Sequence, residues 1–267
     1  MRRLEAVIFD WAGTTVDCGS MAPVKALVKL FAAQGIQLSD RDARRDMGLF
    51  KKDHIRRILA LPHVNREWHK RIGQPAGEDN VEALFRDFGL VQMEILDEHS
   101  RLIDSTANVS EGLRQRGIKL GTTTGYPRPM LDLLITRAAE QGYRPEISLC
   151  PEDAGGGRPL PWMCLRIALE LQLSSTAVAM KVGDTTSDIE EGLNAGMWTL
   201  GVTATGNEVG LSTAELKNLS PGDRQQRLER AANNLKAAGA HYVVDSVAGI
   251  EPVIDQINQR LAAGERP

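Results

Sequence analysis

Short apolar runs alternate with longer amphipathic stretches over most of the chain. The first run, residues 7–9, consists of Val, Ile and Phe and ends abruptly at Asp10, so it predicts a buried strand that is too short for a helix. Further runs of this kind lie at residues 118–122, 147–150, 178–182, 198–202 and 241–244. Because helical patterns separate these runs, the sequence predicts a doubly wound parallel sheet, a Rossmann-like α/β core with helices on both faces.

The helices of this predicted core are bounded by ordinary start and stop signals. Gly117 and Gly142 each follow a helical pattern, Ser212 is placed to cap a helix, and Pro221 with Gly222 predicts a break. The helical patterns cover residues 111–116, 130–141, 161–171, 189–195, 214–219, 224–238 and 250–261.

Between the first strand and about residue 102 the pattern is almost wholly helical. Ser39 is placed to cap one helix, a turn is predicted at residues 47–49, and Pro62 is expected to end the helix before it. The helical patterns of this region cover residues 23–31, 40–46, 51–61, 64–72 and 81–99. The sequence therefore predicts an α/β core of residues 1–19 and 103–267 and a helical cap, residues 20–102, inserted into it.

The composition is typical of a folded enzyme with a small-molecule substrate. Of the 267 residues, 42% are hydrophobic and 25% are charged, and the net charge of −3 gives no basic excess for nucleic acid. The first apolar run is too short for a secretory signal, and no stretch approaches the roughly 18 apolar residues of a membrane span. Cys18, Cys150 and Cys164 lack the spacing of a metal site, which favours reduced thiols in a cytoplasmic protein.

Carboxylates follow two of the predicted strands. Asp10 comes directly after the first strand, and Asp184 follows the strand at residues 178–182. In a doubly wound sheet, ligands bind at the carboxyl ends of the strands, where a carboxylate can attack phosphorus or hold a metal. Considered alone, Asp10 would more often cap a loop, so its assignment depends on the segments that follow.

Four segments together resemble, in order and spacing, the motifs of the haloacid dehalogenase superfamily. They are IFDWAGTT at residues 8–15, LGTTTGY at residues 120–126, GRP at residues 157–159 and MKVGDTTSD at residues 180–188. The resemblance implies that Asp10 is the nucleophile and that Thr124 and Arg158 bind the transferring group. It also implies Mg²⁺ held by Asp10, Asp184 and the backbone carbonyl of Ala12.

Each of the accompanying polar residues also has an ordinary structural interpretation. Thr124 could simply be a residue of a β-strand, and Arg158 could be a solvated residue of a loop. Asp188 could lie in the first turn of a helix, where the macrodipole favours an acidic side chain. In a site, Asp188 would instead hold a metal-bound water or orient a neighbour. The amides of Gly125 and Tyr126 would bind a phosphoryl oxygen, and the Tyr126 ring would wall the site unless it belongs to the core. The sequence leaves these alternatives open.

The chain departs from the superfamily pattern at Ala12. Phosphatases and phosphomutases of the superfamily carry a second aspartate at this position as an acid/base, whereas alanine cannot exchange a proton. A phosphate ester, which has an alkoxide leaving group, would therefore be a poor substrate. The departure favours a reaction whose leaving group is activated in another way.

Lys51 offers such activation. It shares a helical face with Ile55 and Ile58, whereas Lys52 points toward a more polar side. An amine near apolar surface has a lowered pKa and can condense with an aldehyde. From its position alone, however, Lys51 is more simply interpreted as one of two adjacent solvated lysines.

Several stretches resemble, more narrowly, the phosphonoacetaldehyde hydrolase family: MGLFK at residues 47–51, TTGY at residues 123–126 and GRPLPWM at residues 157–163. This resemblance implies that Lys51 forms a Schiff base with the aldehyde, and it implies a homodimer that contacts through the caps. Met47 would line the pocket, or simply pack. His54, one helical turn from Lys51, would shuttle protons, or would lie on the cap surface.

The predicted function is Mg²⁺-dependent hydrolysis of the carbon–phosphorus bond of phosphonoacetaldehyde, through a Schiff base at Lys51 and an aspartyl-phosphate at Asp10. The products would be acetaldehyde and phosphate. The alternative enzyme is a phosphomonoesterase or phosphomutase of the same superfamily. A third candidate is a binding or regulatory protein that keeps the enzyme fold but has lost its activity. No nucleic-acid or membrane partner is expected.

Overall fold

Six parallel strands form one sheet in this computed structural model, which describes residues 2–267. The strands are β1 (Ala6–Phe9), β2 (Lys119–Thr123), β3 (Ile147–Leu149), β4 (Ala179–Gly183), β5 (Trp198–Val202) and β6 (Tyr242–Val244). Their order across the sheet is β3-β2-β1-β4-β5-β6. The chain therefore builds outward from β1 in both directions, which confirms the predicted doubly wound α/β fold.

The strand β1 lies at the centre of the sheet, between β2 and β4. Phe9 is in register with Thr122 on one side and with Val182 on the other. All four residues of β1 are buried, and the strand shows no polar alternation because both faces of the sheet are covered. The residues directly after these three strands meet at the carboxyl edge, where the winding direction reverses.

Helices lie on both faces of the sheet and in the segment between β1 and β2. They are α1 (Met21–Ala33), α2 (Asp40–Arg44), α3 (Lys51–Leu59), α4 (Pro62–Ile72), α5 (Glu78–Leu96), α6 (Thr106–Gln115), α7 (Arg128–Glu140), α8 (Pro151–Ala154), α9 (Trp162–Glu170), α10 (Thr186–Asn194), α11 (Thr213–Asn218), α12 (Pro221–Ala237) and α13 (Ile250–Ala262). Val109 of α6 and Ile254 of α13 pack with Val7 on one face. Ile167 of α9 packs with Ile8 on the other. Within residues 2–267, no helix is both long and apolar enough to span a membrane.

The chain between β1 and β2 is helical, as predicted. It consists of α1 to α5 and a short 3₁₀ turn at Asp97–His99, with no strand of the sheet among residues 21–99. Leu27, Ile55, Trp68 and Phe88 come from four of these helices and share one apolar core. The division into a core of residues 1–19 and 103–267 and a cap of residues 20–102 stays a prediction.

Prolines account for three of the differences from the predicted elements. The helix predicted to stop at Pro62 does end before it, at Leu59, but Pro62 itself begins α4, which was predicted to start at residue 64. The sequence also predicts a break at Pro221, but that residue begins α12, which Ser220 caps. The short helix α8 was not predicted, and it too begins at a proline. Proline lacks only an N–H that the first helical turn leaves unused, so it suits the start of a helix.

Candidate active site

Three strands deliver the candidate catalytic residues to one place. Asp10 follows β1, Thr124 follows β2 and Asp184 follows β4. The backbone N–H of Asp10 donates to the carbonyl of Val182 (2.8 Å), which continues the ladder between β1 and β4 one residue past the strand. All three side chains are buried, so their charges and dipoles interact strongly with one another.

Three carboxylates form a cluster at this edge. Oxygens of Asp10, Asp184 and Asp188 lie within 4.8 Å of one another. Burial, together with repulsion from the other two carboxylates, raises the pKa of Asp184 well above its ordinary value. Burial also raises the pKa of Asp10, against the attraction of Arg158. A cation between these oxygens would offset the cost of keeping the buried carboxylates ionised. Because all the donor atoms are oxygens, the cluster suits a hard divalent ion.

With every carboxylate ionised, the buried charges around this cluster do not balance without a cation. They belong to four carboxylates and two basic groups, namely Asp10, Asp184, Asp188, Glu191, Arg158 and Lys181. A deficit of positive charge remains even when Lys51 is protonated. Because buried charges are stable only when they are paired, the residues present fit a metal site.

The turn after β1 holds Asp184 in place. Gly13 has a φ of +84°, and a Cβ atom there would lie 2.1 Å from Asp184 Oδ2, so the turn requires glycine. Thr14 Oγ1 donates to Asp184 Oδ1 (3.2 Å), and the backbone N–H of Asn207 donates to Oδ2 (2.7 Å). Ala12 lies in the same turn and faces the same cavity as Asp10. Its methyl group has no proton to exchange.

Arg158 bridges three carboxylates. Its Nη2 atom is 2.6 Å from Asp10 Oδ1, and its Nη1 and Nε atoms each lie 3.0 Å from an oxygen of Asp188 and Glu191, respectively. Lys181 Nζ is 2.6 Å from the same Asp188 oxygen. Although burial opposes ionisation, Arg158 and Lys181 hold the pKa of Asp188 below its ordinary value. Asp188 thus lies between two positively charged side chains. Its role at the metal stays a prediction.

A short turn after β2 packs against the connection between α2 and α3. The hydroxyl oxygen of Thr124 accepts from the backbone N–H of Tyr126 (3.1 Å). A Cβ atom on Gly125 would lie 2.5 Å from the carbonyl oxygen of Leu49, so only glycine permits this approach. Tyr126 is buried, and Gln92 Nε2 donates to its hydroxyl (3.3 Å). The turn therefore brings the segment before α3 against the end of β2.

Lys51 is the first residue of α3, and its side chain is buried. Its amine lies 3.4 Å from Met47 Sδ and 5.8 Å from the centre of the Tyr126 ring. Burial lowers the pKa of Lys51 to about 8, because the charged form loses hydration and the attraction of Asp10 compensates only in part. An appreciable fraction of the amine is therefore uncharged near neutral pH, as attack on a carbonyl requires.

Lys52, the next residue, has the opposite environment. Its side chain is 25% exposed and forms ion pairs with Glu82 and, at 3.7 Å, with Glu78. The hydrogen bond to Glu82 raises the pKa of Lys52. As the helical pattern predicts, Lys51 is buried and has a lowered pKa, whereas Lys52 is partly exposed and has a raised pKa. Lys52 therefore provides an internal control for experiments on Lys51.

His54 lies one turn further along α3 and is fully buried. Burial and the nearby charge of Lys51 lower the pKa of His54 well below its ordinary value, which the backbone of Ala43 opposes. Among the residues that the structure describes, neither ring nitrogen has a hydrogen bond of normal geometry. A position on the cap surface is therefore wrong for this histidine. Its role as a proton shuttle stays a prediction.

One cavity is bordered by most of the residues that the sequence singles out. Its wall includes Asp10, Ala12, Met47, Lys51, Thr124, Gly125, Tyr126 and Arg158. His54, Asp184 and Asp188 are buried and lie outside that wall. The candidate nucleophile and the candidate amine thus face a common space, as a reaction between phosphorus and a neighbouring carbonyl would need.

Comparison with known proteins assigns the chain to a family. The model of the haloacid dehalogenase-like hydrolases matches residues 4–196. A phosphonoacetaldehyde hydrolase of Syntrophobacter fumaroxidans is 42% identical over 264 residues, which cover 99% of this chain and 95% of that protein. One from Bacillus cereus is 40% identical over 258 residues, 97% of this chain and 98% of that protein. The chain belongs to the phosphonoacetaldehyde hydrolase family. It is therefore a hydrolase, which confirms the resemblance of its motifs.

Solved structures agree with this assignment. A crystal structure of a phosphonoacetaldehyde hydrolase-like protein from Oleispira antarctica superposes with a TM-score of 0.97 at 44% identity, covering 99% of this chain and 96% of that one. A β-phosphoglucomutase from Clostridium difficile superposes with a TM-score of 0.69 at 16% identity, covering 97% of this chain and 99% of that one. The second likeness is one of fold alone.

Two buried charged residues of the site, Lys181 and Glu191, were not predicted from the sequence. Lys181 lies inside the apolar run of β4, and a charged residue in a strand covered on both faces signals a buried partner. Glu191, on α10, accepts from Arg158 and also from Thr123 Oγ1 (2.9 Å). It therefore holds the guanidinium that faces Asp10.

Replacing Glu191 with glutamine is expected to lower both stability and turnover. The amide keeps the shape of the side chain but removes the charge that faces Arg158 and Lys181, and breaking a buried ion pair costs about 3–5 kcal/mol. Turnover should fall at least about tenfold, because the guanidinium is no longer held in position. Urea unfolding and phosphate release measure the two effects. Glu190→Gln, at an exposed neighbour, is the control; coincident unfolding curves for the two variants would contradict the prediction.

Proposed function

We propose that this protein hydrolyses the carbon–phosphorus bond of phosphonoacetaldehyde to acetaldehyde and phosphate. The observation that carries the proposal is the buried amine of Lys51, with a pKa of about 8, in the wall of the cavity that Asp10 also borders. Relatives about 40% identical that are named phosphonoacetaldehyde hydrolase support this substrate. Ala12 supports it as well, because a carbanion-like leaving group activated through an imine needs no acid at that position.

Lys51 activates the leaving group. Its free amine condenses with the aldehyde, so that a carbon–nitrogen bond forms and water leaves. When the carbon–phosphorus bond breaks, its electron pair moves into the protonated imine and gives an enamine, which avoids a free carbanion. The enamine takes up a proton on carbon, and hydrolysis of the resulting imine releases acetaldehyde and restores Lys51.

Asp10 receives the phosphoryl group. A carboxylate oxygen attacks phosphorus as the enamine leaves, which forms an aspartyl-phosphate. Arg158, 2.6 Å from Asp10, and Thr124 at the end of β2 border the same cavity and would stabilise the charge on the phosphoryl oxygens. Water then cleaves the acyl-phosphate and releases phosphate, so Asp10 is regenerated.

We propose Mg²⁺ as the cation of the carboxylate cluster. Asp10 and Asp184 would supply carboxylate oxygens, the backbone of Ala12 would supply a carbonyl oxygen, and Asp188 would orient the neighbouring groups. Bound there, Mg²⁺ would neutralise charge on the phosphoryl oxygens and keep both ligand carboxylates ionised. The protein's own contribution is the rigid turn at Gly13, which fixes Asp184 close to Asp10.

We also propose the arrangement of the molecule around this site. Residues 20–102 would form a cap that carries Lys51 over the core of residues 1–19 and 103–267, so that substrate is shielded from bulk water. Leu90 and Met93 on α5 are 68% and 38% exposed and would be covered in a homodimer that contacts through the caps. Three cysteines without disulfide partners support a reducing compartment, the cytoplasm.

Product release from phosphonoacetaldehyde in the presence of Mg²⁺ tests the proposed function. Acetaldehyde and phosphate are expected in equal amounts, with sugar phosphates turned over poorly. Efficient turnover of sugar phosphates by the unmodified protein would instead favour the phosphomonoesterase or phosphomutase alternative. Ala12→Asp, which restores an acid beside the nucleophile, is expected to raise activity on sugar phosphates.

The pH dependence of kcat/KM should report the Lys51 amine. Below a pH of about 8 most of the free enzyme carries a protonated Lys51, which cannot attack the aldehyde. We expect kcat/KM to rise about tenfold per pH unit below that value and to level off above it. Initial rates between about pH 6 and pH 9 at low substrate concentration measure the profile. A rate that is flat through this range would contradict an essential free amine.

A further inference from the structure

The loop after β5 touches the side chain of Asp184. The backbone N–H of Asn207 donates to Asp184 Oδ2 (2.7 Å). A Cβ atom on Gly206 would lie 2.6 Å from the Cβ atom of Asp184, so the loop backbone packs directly on this carboxylate residue. The orientation of Asp184 therefore depends on where residues 206 and 207 lie.

Arg44, the last residue of α2, is bonded to this loop. Its Nη1 atom donates to the carbonyl of Gly19 (2.7 Å) and to Asn207 Oδ1 (3.1 Å), and its Nη2 atom donates to the carbonyl of Gly210 (3.2 Å). In return, Asn207 Nδ2 donates to the backbone carbonyl of Arg44 (3.3 Å). The side chain of Asn207 is thus held from both ends by one residue, while its backbone holds Asp184.

The side chain at position 44 needs the shape of arginine. Gly210 has a φ of +66°, and a Cβ atom there would lie 2.8 Å from Arg44 Nε, so the guanidinium packs against bare backbone. The two terminal nitrogens point to acceptors in different segments of the chain. A lysine ammonium is a single point of charge and cannot reproduce this fork.

The chain from Arg44 leads directly to Lys51. Between them, Gly48 approaches Thr185 so closely that a Cβ atom would lie 2.3 Å from its hydroxyl oxygen, and Leu49 contacts Gly125. The segment that carries the amine is therefore seated on the strand ends at several points. Among these contacts, the one made by Arg44 leads through Asn207 to Asp184.

We propose that Arg44 is a positioning residue for Asp184, acting through Asn207. When the segment that carries Lys51 is seated, the guanidinium fixes Asn207, and the backbone N–H of Asn207 aims the Asp184 carboxylate at the cation site. The inference rests on the proposed role of Asp184 as a Mg²⁺ ligand. It means that Arg44 links the segment that carries Lys51 to the metal-binding residue Asp184.

Mg²⁺ binding to the substrate-free protein, measured by titration calorimetry, tests this inference. Arg44→Met is expected to weaken Mg²⁺ binding about tenfold, because the Asn207 backbone N–H that orients the ligand Asp184 is no longer held in place. Asn207→Ala keeps the backbone N–H but loses the contacts to Arg44, so it should weaken binding by a similar factor. Because Asn207→Ala already removes the contact that Arg44→Met removes, the double variant should lose no more than Asn207→Ala alone. Arg44→Lys should recover only part of the loss.

The controls separate this inference from the metal assignment on which it rests. Arg45→Met, at an exposed neighbour, should bind Mg²⁺ like the unmodified protein. Asp184→Ala should lose Mg²⁺ binding; if it does not, the metal assignment fails and the inference fails with it. If Asp184→Ala loses binding while Arg44→Met and Asn207→Ala keep it, the inference alone is overturned. Additive losses in the double variant would also overturn it.

Discussion

Lys51→Arg is expected to abolish the release of acetaldehyde and phosphate from phosphonoacetaldehyde. Arginine keeps the positive charge but cannot form an imine, so the carbon–phosphorus bond would have to break without an electron sink. We expect kcat to fall by roughly four orders of magnitude or more, which is the typical cost of removing a covalent catalytic group. A coupled assay for both products measures the loss.

The adjacent lysine supplies the control for this substitution. Lys52 is on the same helix and is one residue away, but its amine pairs with Glu78 and Glu82 at the surface. Lys52→Arg should therefore keep most of the activity. Equal activity in Lys51→Arg and the unmodified protein would leave the haloacid dehalogenase fold and the phosphoryl chemistry standing, but it would remove the imine.

Asp10→Asn is expected to stop turnover while leaving imine formation intact. The amide cannot act as a nucleophile toward phosphorus, so phosphate release should fall by about four orders of magnitude or more. Imine formation depends on the amine of Lys51 rather than on the carboxylate. Borohydride reduction in the presence of phosphonoacetaldehyde should therefore still attach the substrate carbon to the protein.

Asp10→Asn separates imine formation at Lys51 from phosphoryl transfer to Asp10. Phosphate release and covalent labelling are measured on the same sample, with Asp17→Asn as a matched control, because Asp17 is a buried carboxylate that pairs with His99 away from the cavity. If Asp10→Asn released phosphate at an undiminished rate, a nucleophile other than Asp10 would have to act. If it lost labelling together with turnover, the two steps would not be independent.

The inner strands of the sheet were predictable because they are buried on both faces. Runs such as residues 7–9 and 198–202 are short, apolar and rich in β-formers, so the periodicity of the sequence identifies them directly. The carboxyl edge then follows from parallel topology alone. Asp10 and Asp184 could both be placed at this edge because each follows a predicted strand, and the resemblance of their motifs to the haloacid dehalogenase superfamily brought them to one site.

Contacts between distant segments could not be predicted in the same way. Glu191 looks like any acidic residue on an amphipathic helix, and only the fold shows that it faces Arg158. Arg44 and Arg45 are identical residues side by side, yet only the first reaches the loop that holds Asp184. The pKa of Lys51 likewise depends on burial by elements far along the chain, which a helical pattern can suggest but not establish.

Peptide mapping after borohydride reduction shows whether an imine forms at Lys51. The protein is incubated with phosphonoacetaldehyde, reduced, digested and analysed by mass spectrometry to locate the adduct on α3. We expect a substrate-derived adduct on Lys51, formed faster as the pH rises toward 8 because the free amine is the reacting form. An adduct on Lys52, or no adduct in a preparation that releases acetaldehyde and phosphate, would contradict the Schiff-base mechanism.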